Sequence, residues 1–247
     1  MRSDASDQLA DHRRVWERKR VLRVVYDDFY DRIAAACHAG LTIELGGGIG
    51  NLKQRLTDVV ATDIQRAPWL DCVADAQRLP FTEACAANIV MIDVLHHLQF
   101  PVLFFREAAR VLRPGGRVVT VEPAITWGSS LFYRLFHHEP VRTSAEVLDS
   151  GAPDPARDPY DSNQAIPTLL ATRDRARFHR MFSVLRIASV QWFAFAAYPL
   201  SGGFKSWSLI GEEAARRMLR IEHALEPTLG RLAGFRMLLT IEKAIGP

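Results

Sequence analysis

Read for the spacing of apolar positions, the chain opens helically and then changes rhythm. Val15, Leu22, Phe29 and Ile33 recur at helical intervals, which predicts one or two amphipathic helices over roughly residues 8–38. Short apolar runs then alternate with longer mixed stretches. "LTIEL", "DVVATDI", the short "DCVADA", "ANIVMIDVL" and "RVVTVEP" read as five strands, the fourth apolar enough to be buried on both faces. Before the fifth, "FPVLFFREAARVLRPGG" reads as a helix whose end is marked by Pro114, Gly115 and Gly116. Such alternation implies a parallel sheet with helices on both sides.

Beyond Pro123 the rhythm lapses. "WGSSLFYRLFHH" is a helix candidate, and "DSGAPDPARDPYDSNQAIP" is a loop by its turn residues. "RDRARFHRMF" reads as a helix, "SVLRIASVQWFAF" as a sixth strand and "FRMLLTIEKA" as a seventh. A second insertion, roughly 197–234, shows a helical stripe at Ile210, Ala214, Met218, Ile221 and Leu225.

Composition adds limits. The 247 residues, 48% hydrophobic and 24% charged, suit one globular domain with a real core. Arg13, Arg14, Arg18, Lys19, Arg20 and Arg23 form a basic cluster, read as the wet face of a helix because Asp27, Asp28 and Asp31 break its field. Cys37, Cys72 and Cys85 are too few and too far apart for a disulfide framework or a metal site. The first residues lack an apolar signal core, and Trp192–Leu200 is too short to span a bilayer, so a cytoplasmic home and no stable membrane insertion are expected.

The chemistry concentrates at "TIELGGGIGN". A glycine-rich turn after the first strand of a parallel sheet lets a ligand approach the backbone. Lys53 is followed by Gln54, so the loop is not a P-loop, and Asn51 stands where a dinucleotide fingerprint starting at Gly46 needs glycine. What remains is an acid two residues before alternate glycines: Glu44, then Gly46, Gly48 and Gly50, with Gly47 between. This resembles the first motif of class I S-adenosylmethionine-dependent methyltransferases, and a carboxylate beside that cofactor's cationic end is favourable. Asp63 in "ATDI", Asp75 in "VADAQRLPF", "IVMIDVLHHL" and "EAARVLRPGGRVVTVEP" resemble the later motifs in order and spacing, closest to the small-molecule group that includes ubiquinone/menaquinone-type enzymes.

The resemblance implies an α/β fold: a Rossmann-like doubly wound seven-stranded sheet, mostly parallel with an antiparallel last strand, plus a helical lid and cap insertions. It implies one domain, with a lid over 1–39, a cofactor half over 40–123, and caps over 124–172 and 197–234. S-adenosylmethionine would be bound, with S-adenosylhomocysteine as product. Asp63 would hold the ribose and Asp75 would lie near the adenine amino group; Ile64, Ala76, Asp93 and Val94 complete the expected cofactor contacts.

The acceptor is read as a small, partly apolar metabolite methylated on oxygen, with transfer to carbon or nitrogen left open. A base, where the acceptor needs one, is sought in His96 or His97 after the fourth strand, or in His137, His138 and Glu139; His97, His138 and Glu139 are the selected residues. Asp154, Asp158 and Asp161 read as a solvated loop, so no metal is expected. "DVLHHL" occupies the place of the Pro-Pro-aromatic motif of base methylators, which disfavours nucleic acid as partner. A homodimer is compatible with the sequence. A nicotinamide-dependent oxidoreductase and a non-catalytic cofactor-binding module are the competing readings.

Overall fold

The computed structural model describes residues 5–136 and 140–246. Seven strands form one sheet: β1 (Thr42–Leu45), β2 (Val59–Asp63), β3 (Cys72–Val73), β4 (Ala86–Ile92), β5 (Leu112–Pro123), β6 (Leu185–Phe193) and β7 (Arg236–Lys243), in the order β3-β2-β1-β4-β5-β7-β6. The β1–β2, β1–β4, β2–β3 and β4–β5 pairs are parallel, and β7 runs antiparallel to both β5 and β6. This is the doubly wound sheet the alternating pattern implied. The strand order reverses between β1 and β4, and ligands of open α/β sheets bind at the carboxyl ends beside such a reversal.

Helices cover both faces. On one, α2 (Arg20–Ala36) buries Leu22, Phe29 and Ile33 completely, together with α7 (Ala197–Ser201) and α8 (Glu212–Ala233). On the other, α3 (Pro101–Val111), α5 (Ile166–Ala171) and α6 (Arg175–Met181) pack Phe104, Phe105, Leu170 and Phe178 against the sheet. Two more helices, α1 (Ala5–Arg18) and α4 (Trp127–Phe136), complete the set. No helix among the described residues is long and apolar enough to cross a membrane.

Three local expectations are corrected. The α3 helix ends at Val111, and Pro114, Gly115 and Gly116 lie inside β5, because the strand begins at Leu112. The stripe on α8 is rotated: Ala215, Leu219, Glu222 and Gly230 face inward, while Ile221 and Leu225 are 61% and 40% exposed. The cause is a buried acid. The Glu222 carboxylate accepts the amides of Phe195, Ala196 and Ala197 at 3.0, 2.8 and 2.7 Å, a role that apolar periodicity cannot register. The basic cluster is also more than a wet face, since Lys19 Nζ donates to the carbonyls of Gly203, Lys205 and Trp207 and ties α1–α2 to the turn after α7.

Candidate functional site

The glycine loop follows β1 directly. Gly46, Gly48 and Gly50 all adopt the left-handed backbone that only glycine enters freely. A Cβ on Gly46 would stand 2.2 Å from Val94 Cγ2, so this glycine lets the loop after β4 lie against the loop after β1. Among the described residues a Cβ on Gly48 would meet only the Gly46 carbonyl oxygen, at 3.8 Å, so that this part of the loop faces open space. Gly47 is buried, and its Cβ would press on Glu44 Oε2 at 3.2 Å.

Glu44 therefore lies under the loop. It is 4% exposed, and its Oε2 has no hydrogen-bond partner among the described residues. Burial pushes the carboxyl up to about 8, with Asp63 and Asp71 adding to the rise and Lys53 opposing it. Asp63 stands at the tip of β2. Its Oδ2 accepts the Gly48 amide at 3.1 Å and its Oδ1 accepts the Gln65 amide at 3.0 Å. Burial raises its pKa, and the amides of Gln65, Gly48 and Ile64 oppose the rise. Ile64 is half exposed beside it. Trp69 crosses from the β2–β3 connection and donates its indole N–H to Gly48 O at 2.7 Å, with the Arg13 guanidinium 4.5 Å above the ring. Asp75 turns the chain after β3 by accepting the Gln77 amide at 2.8 Å, and Ala76 is buried behind it.

The loop after β4 is clamped from two sides. Asp93 takes a left-handed backbone and forms a two-point ion pair with Arg236 at the start of β7, one contact at 2.6 Å. Arg236 is 2% exposed and also donates to the Tyr198 hydroxyl at 2.8 Å. Glu122, fully buried at the end of β5, accepts the amides of Val94 and Leu95 at 3.1 and 2.9 Å and the Thr120 hydroxyl at 2.7 Å. Its second oxygen meets His96 Nδ1 at 2.6 Å. Burial alone would raise the Glu122 pKa; the His96 bond and the other donors outweigh it and lower the net value. Asp93, His96 and Glu122 bring ligand atoms within 4.8 Å of one another, but both carboxylates are already committed to these donors.

His97 sits half-buried one residue on. Its ring centroid is 4.2 Å from that of His96 and 6.5 Å from that of Tyr160. The 149–165 segment folds across this edge of the sheet. Arg157 donates to the His97 carbonyl at 2.6 Å, the Asn163 amide donates to the His96 carbonyl at 2.9 Å, and the Tyr160 hydroxyl takes a 2.6 Å hydrogen bond from Gln65. Glu44, Asp63, the glycines, Asp93, Val94 and His97 thus meet at one edge, and Asp75 lies beyond β2 on the same side. His138 and Glu139 lie outside the described residues. Glu122, Tyr160, Gln65 and Arg236 were not singled out from the sequence.

Residues 43–120 match a family model described as a methyltransferase domain. No curated protein matches the chain. Among solved structures, a Haloferax volcanii methyltransferase, determined in complex with the methyltransferase activator Trm112, is 14% identical and aligns over 100% of each chain at a TM-score of 0.51. An S-adenosylmethionine-dependent methyltransferase from Archaeoglobus fulgidus is 15% identical, with 91% of this chain and 94% of that one covered, at 0.48. Geranyl diphosphate C-methyltransferase from Streptomyces coelicolor, crystallised with S-adenosylhomocysteine, is 12% identical over 88% and 76% of the two chains at 0.46.

The match places a methyltransferase domain over the segment from β1 into β5. The matched model is the general domain and does not single out the ubiquinone/menaquinone-type group.

Proposed function

We propose that this enzyme transfers a methyl group to oxygen on a small, partly apolar acceptor held between the loop after β4 and the 149–165 segment. The observation that carries the reading is the place of His97. It projects from the turn that packs on the glycine loop, beneath a segment that reaches across to Gln65 beside Asp63. Tyr160 stands edge-on to the His97 ring with centroids 6.5 Å apart and would offer an aromatic face to an acceptor held there.

In this reading Glu44 faces the cationic amino-acid end of the cofactor. Its buried Oε2, unpartnered among the described residues, supports the assignment, because a carboxylate so placed is costly until a cation or donor reaches it. Asp63 takes the ribose hydroxyls, Gly46, Gly47, Gly48 and Gly50 let the backbone approach, and Ile64, Asp75, Ala76, Asp93 and Val94 line the nucleoside side. The cofactor supplies an activated methyl on a good leaving group. The protein then has to align the acceptor, exclude water and, for a hydroxyl, take its proton at His97. A diffusing acceptor in the cytoplasm, with no nucleic-acid partner, fits this reading.

The test is mass spectrometry of a metabolite extract incubated with enzyme and methyl-labelled cofactor. One component should gain a single labelled methyl, and fragmentation should place it on oxygen. A label found on carbon or nitrogen overturns the oxygen assignment; no labelled component overturns the small-acceptor reading.

A further inference from the structure

Glu122 holds more than a turn needs. Its Oε1 alone accepts the Val94 and Leu95 amides and the Thr120 hydroxyl, which is a complete cap. An amide oxygen could do the same. The pairing of Oε2 with His96 Nδ1 at 2.6 Å is surplus to that cap. An ionised carboxylate only accepts, so the proton in this bond belongs to His96 Nδ1. The pair is dry, with His96 2% and Glu122 0% exposed, and the His96 ring lies against the His97 ring with centroids 4.2 Å apart and planes at 40°.

We propose that Glu122 is a positioning residue for methyl transfer, which sets the turn 94–97 and, through the proton on His96 Nδ1, the orientation of His97. The proposal rests on the methyl-transfer reading above. The charged and titratable neighbours of the pair are Asp93, with its partner Arg236 from β7, and His97 on the same turn; Tyr160, the Asp161 carbonyl and Arg157, from the segment folded over it, contact His97.

The decisive variant is Glu122→Gln. Its amide oxygen keeps the cap, while its N–H meets His96 Nδ1 and forces the proton to Nε2. Histidine ¹⁵N NMR of the full chain with S-adenosylhomocysteine reads that proton directly. Transfer of labelled methyl into the extract component, and cofactor affinity by calorimetry, are measured alongside. The expected result is Nδ1–H in the wild type and Nε2–H in the variant, with affinity within about twofold and transfer down about tenfold or more. His96→Gln, which keeps a donor toward Glu122 but loses the ring, should show the same loss of transfer and guards against a Glu122→Gln chain that does not fold. Nε2–H in the wild type overturns the proposal, as does undiminished transfer by either variant. Should the wild type label nothing in the extract, the methyl-transfer reading fails separately, and the proton position on His96 still decides whether Glu122 sets it. Should His97→Ala transfer at the wild-type rate while Glu122→Gln does not, the proposal is overturned, because Glu122 would then act on transfer by a route that does not pass through His97.

Discussion

Asp63 and Gly48 share a hydrogen bond: the Gly48 amide donates to Asp63 Oδ2 at 3.1 Å, which joins the acid at the tip of β2 to the glycine loop after β1. The link runs across 15 residues of sequence and makes the two halves of the expected cofactor site one unit. Asp63→Ala should lose both this bond and the acceptor for the ribose hydroxyls. Hydrogen bonds to charged groups contribute about 1.5–3 kcal/mol each, so S-adenosylmethionine should bind at least roughly tenfold more weakly by calorimetry. An unchanged affinity in a folded variant would remove the ribose from Asp63.

The glycines divide by what surrounds them. Gly46→Ala places a Cβ 2.2 Å from Val94 Cγ2 on a backbone with φ of 63°, so it should lower stability itself. Gly48→Ala meets open space at φ of 49° and should cost only the left-handed backbone penalty of about 1–2 kcal/mol. Gly48→Val adds bulk on the open side and should abolish cofactor binding in a protein that still folds. Thermal melts should therefore rank Gly46→Ala below Gly48→Ala, and Val94→Ala should recover part of the Gly46→Ala loss. The reverse ranking would mean that the two loops do not press on each other as described.

These two predictions rest on features the sequence displays openly. Alternating apolar runs announced the strands, because a sheet buried on both faces needs continuous apolar stretches. The acid-and-glycine spacing announced the loop, because close backbone approach needs glycine. The clamps on the other side were not visible. Glu122 meets His96 across 26 residues, Tyr160 meets Gln65 across 95, and Arg236 meets Asp93 across 143, so no local period or motif ties the partners together. The α8 stripe misled for a related reason: a buried Glu222 satisfies backbone amides, and polarity normally reads as an outward face.

Glu44 should make the cofactor-free protein sensitive to pH. Burial pushes its folded-state carboxyl up to about 8 from an ordinary 4.5. Between those values the unfolded chain has released its proton and the folded chain has kept it. Stability from this group is therefore greatest below about 4.5, falls as pH rises to about 8 and is flat above. The slope is at most about 1.4 kcal/mol per pH unit. Glu44→Gln should remove that slope and raise the melting temperature at pH near 8. A cation arriving beside the carboxylate should expel its proton. Calorimetry at neutral pH in buffers of different ionisation enthalpy should then register proton release on cofactor binding in the wild type and none in Glu44→Gln. Equal heats in all buffers would place the cation elsewhere.

The Arg236–Asp93 pair is expected to serve stability. Removing one partner of a buried ion pair costs about 3–5 kcal/mol, and the Asp93 side chain, 30% exposed, puts the loss toward the lower figure. Arg236→Met should lower the urea midpoint accordingly. Asp93→Asn in the same chain should recover part of the loss, since no unpaired charge is left behind. Additive effects of the two changes would show that the contact carries no coupling.

His97 bears the chemical reading, and its variant separates catalysis from binding. Its turn is held by the Glu122 contacts to Val94 and Leu95, which a change at His97 leaves in place. His97→Ala should therefore keep both fold and cofactor affinity. A general base acts in the transition state, so transfer to the extract component should fall by about 10²–10⁴-fold with little change in cofactor affinity. A loss of only a few fold would make His97 a wall of the acceptor space, and His138 and Glu139 would then be replaced in turn. If none of the three affects the rate, the acceptor arrives already ionised, as a carboxylate does, and catalysis is alignment alone. A rate independent of pH between about 6 and 9 would accompany that outcome, because no proton would have to leave the acceptor before the methyl arrives.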